Sequence, residues 1–126
     1  TYADRKDAAL TGLYTSTVAE QHVPFVVPCE CGGHEDTRSA VLSDGTHTVQ
    51  VVGGDDFHFS ALPYSMEEYR KAAYEEELPK ETTGTWLMLD AAHAGLGGDT
   101  GWTKNIHPEY RVCKGRYSYT FRFHFA

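Results

Sequence analysis

The 126 residues, 40% hydrophobic and 13% aromatic, are enough for one domain with its own core and too apolar for a disordered chain. A formal charge of −7, from 18 acidic against 11 basic residues with no Lys/Arg cluster, excludes a phosphate-backbone partner such as nucleic acid. No apolar run approaches the roughly 20 residues of a membrane span, and the first ten residues have no signal-peptide character.

Taken in chain order, the sequence opens at Thr1 in the middle of a polar phrase, the start expected of a cut chain. Short β-branched or aromatic runs then recur between Gly, Asp and Pro punctuation, the pattern of an antiparallel β-sandwich. The expected strands are PFVVP (24–28), RSAVLS (38–43), HTVQVVG (47–53), FHFSAL (57–62), GTWLMLD (84–90), EYRVC (109–113) and RYSYTFRFHF (116–125). Asp44-Gly45 supplies the positive-φ pair that a tight reversal needs in the first hairpin, and Lys114-Gly115 suggests the same for the last. In that final run Tyr117, Tyr119, Phe121, Phe123 and Phe125 alternate with polar residues, which predicts one buried face. One short helix near residues 65–78 is expected, with Ser65 and Glu68 spaced as a capping box, Glu67 and Lys71 as an i,i+4 pair, and Pro79 as the stop. The order of strands, one helix, then strands excludes alternating βαβ units. No linker divides residues 1–126, so the expectation is a single all-β domain.

The segment Gly84 to Trp102, GTWLMLDAAHAGLGGDTGW, is the most informative. Its glycines permit backbone states closed to other residues and leave Trp102 with little bulk beside it. They are followed by neither a helix nor a Lys, so a phosphate loop is disfavoured. A buried structural Trp is the plain reading of Trp102. The sharper one is a sugar platform, an indole face stacked on the C–H face of a hexose while nearby polar groups hold its hydroxyls. One ring face, roughly 50–100 Å² at about 25 cal/mol per Å², is worth about 1–3 kcal/mol. That falls short of the roughly 4 kcal/mol of a millimolar site, so Trp102 alone does not make a sugar binder.

The pattern Gly84-Thr85-Trp86-Leu87, Asp90, His93, Gly95, Gly97-Gly98-Asp99 and Trp102 resembles the C-terminal signature of β-galactosidases of glycoside hydrolase family 2. Further matches follow in order: Tyr2, Asp4 and Arg5; Pro28, Glu30, Gly32, Thr37 and Arg38; the Ser60–Leu78 stretch; and Gly115-Arg116-Tyr117. Cys31 departs from the usual Asn, and Thr100-Gly101 from the usual acidic residue and Ser.

The resemblance implies the C-terminal part of a galactose-mutarotase-like supersandwich, the last domain of an enzyme whose two catalytic Glu residues stand in a TIM barrel absent from this chain. Trp102, with Asp99 and His93, would contact the galactoside; no residue here would be catalytic. The expected partners are a galactoside bound with the barrel and the rest of the β-galactosidase chain or a large subunit, the whole being a homo-oligomer. No cofactor is expected in this chain, while the barrel would carry divalent or monovalent cations. Two alternatives are a free-standing carbohydrate-binding module and a mutarotase-like aldose epimerase.

The remaining candidates have plainer explanations. Glu67, Glu68, Glu75, Glu76 and Glu77 read as a solvated helical face, and Asp55-Asp56 as turn residues. Cys29 and Cys31 would share one face of an extended strand while His34 takes the other, and no second Cys or His pair has finger-like spacing, so no metal ligand set is expected. Three cysteines without a scaffold pattern point to free thiols and a cytoplasmic location. His93, inside the glycine-rich signature, reads first as a residue that orients loop backbone.

Overall fold

A computed structural model describes residues 2–5, 10–26, 31–96 and 104–126. The elements are α1 (Val18–Gln21), β1 (His34–Ser43), β2 (Thr48–Leu62), α2 (Met66–Lys71), a 3-10 turn (Glu75–Glu77), β3 (Trp86–Asp90), a second 3-10 turn (Pro108–Tyr110) and β4 (Phe121–Phe125). The structure is all-β in class, an antiparallel sheet with two short α-helices. Among the described residues no helix is long and apolar enough to cross a membrane.

The long strand β2 organises the sheet. One edge pairs with β1 between Thr48 and Phe59, while its other edge takes β4 along Val49–Gly53 and β3 along His58–Leu62. Two expected strands, 47–53 and 57–62, are therefore one strand that passes through Gly53-Gly54-Asp55-Asp56 without breaking. The pairing with β1 slips there, from Thr37↔Phe57 to Ser39↔Val52, so the extra residues form a bulge rather than a turn. The β1–β2 hairpin closes at Gly45, φ +90°, as its Asp-Gly pair requires, and Asp44 accepts the Thr46 and His47 amides at 2.8 and 2.7 Å.

Alternation on β2 and β3 sets two faces. Phe59 opposite Leu89 and Ala61 opposite Leu87 face one side, where Ala40, Val51 and Phe57 form the core with Tyr119 and Phe121 packed against it. His58 opposite Asp90, Ser60 opposite Met88 and Leu62 opposite Trp86 face the other. A smaller cluster of Val26, Ala72 and Leu78, flanked by Tyr64 and Tyr69, lies beneath α2.

Several expectations need correction. The Ser65–Glu68 capping box and the Glu67–Lys71 pair are present, the latter at 2.7 Å, but α2 stops at Lys71 and a separate 3-10 turn follows. Ala72 turns extended to enter the small core with Leu78, and tertiary burial overrides the helical register there. A second capping box, Thr17 with Glu20, starts α1, which was not anticipated. Phe25 and Val26 are not in a strand; the rest of the expected 24–28 strand, residues 27 and 28, lies outside the described residues. Pro108 initiates a 3-10 turn where a strand over 109–113 was expected, so Lys114-Gly115 joins no hairpin. The last strand is confined to 121–125, and its aromatic face is not buried throughout: Phe125 is 79% and Phe123 47% exposed, because no layer among the described residues covers them. The described residues form a single four-stranded antiparallel sheet, in which β1, β3 and β4 each pair with β2, and no second sheet of a sandwich is among them.

Candidate functional site

On the polar end of the non-core face, β1, β2 and β3 bring four side chains together with the loop that follows β3. His58 and Asp90 are register partners, and His58 Nδ1 lies 3.0 Å from Asp90 Oδ2. A carboxylate only accepts, so Nδ1 carries the proton, and in the neutral imidazole Nε2 then presents its lone pair. The imidazole is 3% exposed. His93 stacks on it, ring centroids 4.1 Å apart and planes within 5°, and Tyr2 stacks on His93 at 5.1 Å.

Glu35 closes the group. Its Oε2 lies 3.7 Å from His93 Nδ1, with only 15% of the side chain exposed. Burial pushes its carboxyl above the ordinary carboxylate range, against a smaller downward pull from His58 and His93. Glu35 sits in a β-bulge: three steps of β1 from His34 to Thr37 oppose two of β2 from Phe59 to Phe57, and Asp36 absorbs the extra residue at φ +51°. Asp tolerates this left-handed state better than most side chains. Before the bulge, His34 stacks on Phe59 at 4.8 Å, and its Nε2 lies 2.7 Å from Gln21 Oε1. Burial lowers the tendency of His34 to protonate.

Two glycines fit the chain to this group. A Cβ on Gly33 would lie 2.7 Å from His58 Nε2, so the Gly32-Gly33 turn passes over the imidazole only because residue 33 has no side chain. Gly95 fits between Asp4 and Tyr110, where a Cβ would come within 2.5 Å of Asp4 Oδ2. Its amide donates to Tyr110 O at 2.9 Å, and the Leu96 amide donates to Asp4 Oδ1 at 3.0 Å. The N-terminal Tyr2-x-Asp4 thus pins the segment that leads from β3 into the glycine-rich loop.

Of the residues read from the sequence as sugar contacts, the structure places His93 in this group; Trp102 and Asp99 lie outside the described residues. Glu35 and His58 were not singled out. A usable signal existed for His58, an imidazole between Phe57 and Phe59 on a strand whose aromatics face the core. Glu35 had none, because the bulge that sets its direction depends on the pairing with β2.

Two further features lie elsewhere. His22 joins α1 to the α2 region: Nε2 lies 2.9 Å from Glu75 Oε1 and donates to it, while Nδ1 accepts from the Tyr69 hydroxyl at 2.8 Å. Burial, then the neighbouring Cys31, pushes the Tyr69 hydroxyl up, which keeps it a donor. Cys31 and Cys113 are free thiols, and Cys29 lies outside the described residues. At the opposite end of β3, an open groove of about 330 Å³ is lined by Ser65, Met66, Glu67, Trp86, Leu87 and Met88.

Comparison with known proteins bears on what this arrangement serves. A family described as beta galactosidase small chain matches residues 1–123. Beta-galactosidase 2 of Enterobacter cloacae is 41% identical over 120 residues, which cover 95% of this chain and 11% of that protein. Beta-galactosidase BgaC of Bifidobacterium adolescentis is 39% identical over 116 residues, covering 89% of this chain and 11% of that protein. For the beta-galactosidase of Lactococcus lactis the figures are 34% over 122 residues, 97% and 12%. The chain thus spans about a tenth of the length of these relatives, and it belongs to the β-galactosidase small-chain family.

Proposed function

We propose that this chain forms the C-terminal end of a β-galactosidase, which hydrolyses terminal non-reducing β-D-galactose residues in galactosides such as lactose. In this reading it supplies Trp102, with Asp99 and His93, to the sugar site and leaves bond cleavage to carboxylates elsewhere in the enzyme. The observation that carries the reading is the family match over residues 1–123 together with β-galactosidases of which the chain covers only 11–12%. Most of each relative lies outside the match and is free to hold the chemistry. The local chemistry agrees: a retaining glycosidase needs two carboxyls about 5 Å apart, whereas Glu35, the enclosed carboxylate of this site, faces two imidazoles.

The glycine-rich loop leaves β3 at Asp90, which is hydrogen-bonded to a buried residue of β2, and passes Gly95 and Leu96, whose amides donate to Tyr110 O and Asp4 Oδ1. A root held in this way suits a loop that must present one indole to a ligand bound largely by another domain, since positional error is costly in a sugar site. The partners are the remainder of the β-galactosidase chain or a large subunit, within a homo-oligomer. The exposed aromatic face of β4 fits a surface that the rest of a supersandwich covers.

Saturation-transfer NMR with lactose, on the 126-residue chain and on the enzyme containing it, separates this from a free-standing carbohydrate-binding module. The expected result is transfer from the enzyme and none from the chain at millimolar sugar. Saturable binding by the chain alone would establish the module instead.

A further inference from the structure

We propose that Glu35, His58 and His93 form a binding site for a zinc-class divalent cation, which clamps the root of the glycine-rich loop to the sheet. One ligand atom from each of the three lies within 4.8 Å of the other two. Two imidazoles and a carboxylate suit zinc, cobalt or nickel better than magnesium or calcium, which take oxygen ligands. Three protein ligands leave a fourth position for water.

The state of His58 is the independent sign that this is a ligand set. Its Nδ1–H is fixed on Asp90, the orientation by which a carboxylate commonly prepares a metal-binding histidine. Its Nε2 then holds a lone pair in a residue 97% buried, and neither this atom nor Glu35 Oε2 has a hydrogen-bond partner among the described residues. Leaving two such atoms buried costs free energy that a cation between them removes.

The ligand atoms of a tetrahedral zinc site stand roughly 3.4 Å apart, from bonds of about 2.0–2.1 Å. Glu35 and His93 are already at 3.7 Å. Parallel imidazoles cannot both aim in-plane lone pairs at one point, so binding requires the His93 ring to tilt out of its stack on His58. His93 is the member that can move, because it sits on the segment after β3 while His58 is held inside β2. Its tilt couples the cation to the segment that continues through Gly95. The assignment concerns a different property from galactoside contact and stands or falls separately from it.

The test is titration of the purified, chelator-treated protein with Co²⁺, read by visible d–d absorption. One equivalent per chain is expected to give a saturable band that Zn²⁺ displaces. Glu35→Gln and His58→Gln should abolish the band, Asp90→Asn should weaken affinity about 10–100-fold, and His124→Ala, exposed on β4, should change nothing. Because a core variant can fail to fold, the same Co²⁺ form of the unmodified protein is examined by proton NMR, where two hyperfine-shifted imidazole N–H signals are expected. No saturable band from the unmodified protein, a band that survives both Glu35→Gln and His58→Gln, or fewer than two such N–H signals overturns the proposal.

Discussion

His58 and Asp90 face each other across β2 and β3, and the 3.0 Å bond from Nδ1 to Oδ2 joins a nearly buried imidazole to a half-exposed carboxylate. Asp90→Ala would strand the Nδ1–H, and a buried donor without its acceptor costs about 1–3 kcal/mol. Urea unfolding should show a loss of that size, with the m-value unchanged because the surface exposed on unfolding stays the same.

Gly33 gives a sharper steric prediction. Gly33→Ala pushes a methyl toward His58 Nε2, and an overpacked interior costs typically about 1–3 kcal/mol. Gly84→Ala is the control, since a Cβ there meets nothing within 4 Å, and its midpoint should stay level or rise slightly. Equal losses at the two positions would show that the Gly33 turn does not lie over His58.

The core and the exposed aromatics of β4 should behave differently despite similar side chains. Phe57 is 2% exposed at the centre of the main cluster, so Phe57→Ala should cost about 3–5 kcal/mol. Phe125→Ala in this chain should stay within about 0.5 kcal/mol, as for an ordinary surface position. Thermal or urea midpoints of the two variants check the contrast.

That contrast shows where sequence reading reached and where it stopped. The Asp44-Gly45 hairpin, the Ser65–Glu68 cap and β3 were legible because each depends on residues close in the chain. Period-2 alternation put Phe121, Phe123 and Phe125 on one face of β4, but it did not give what covers that face, and it carried the strand back over Tyr117 and Tyr119, where no strand pairing among the described residues holds it; coverage and pairing are properties of neighbours. Likewise, His93 stood out through its glycine-rich surroundings, whereas Glu35 became part of the site through a bulge at Asp36 and a register set by β2. Those two features exist only once the strands are paired.

Asp44 provides the pH dependence. The His47 and Thr46 amides, with His47's side chain, hold its carboxyl below its ordinary 3.8. A depressed folded pKa stabilises the protein above the unfolded value and loses that effect as pH falls through the folded one. Asp44→Asn, which resembles the protonated acid, should therefore melt lower than the unmodified protein at neutral pH, and the gap should close as pH drops below 3.8. A gap constant from pH 7 to pH 2.5 would mean that the turn does not depend on the charge.

In the proposed reading, this chain adds one aromatic platform to a galactoside site whose chemistry lies elsewhere. Steady-state kinetics of Trp102→Ala in the complete enzyme test it most directly. Loss of one stacked ring face, about 1–3 kcal/mol, should lower kcat/KM for lactose roughly 10- to 100-fold while leaving measurable turnover. Unchanged kcat/KM would contradict the assignment of Trp102 to the sugar site, and complete loss of turnover in a folded variant would contradict the claim that this chain supplies a platform and not the reaction's essential groups.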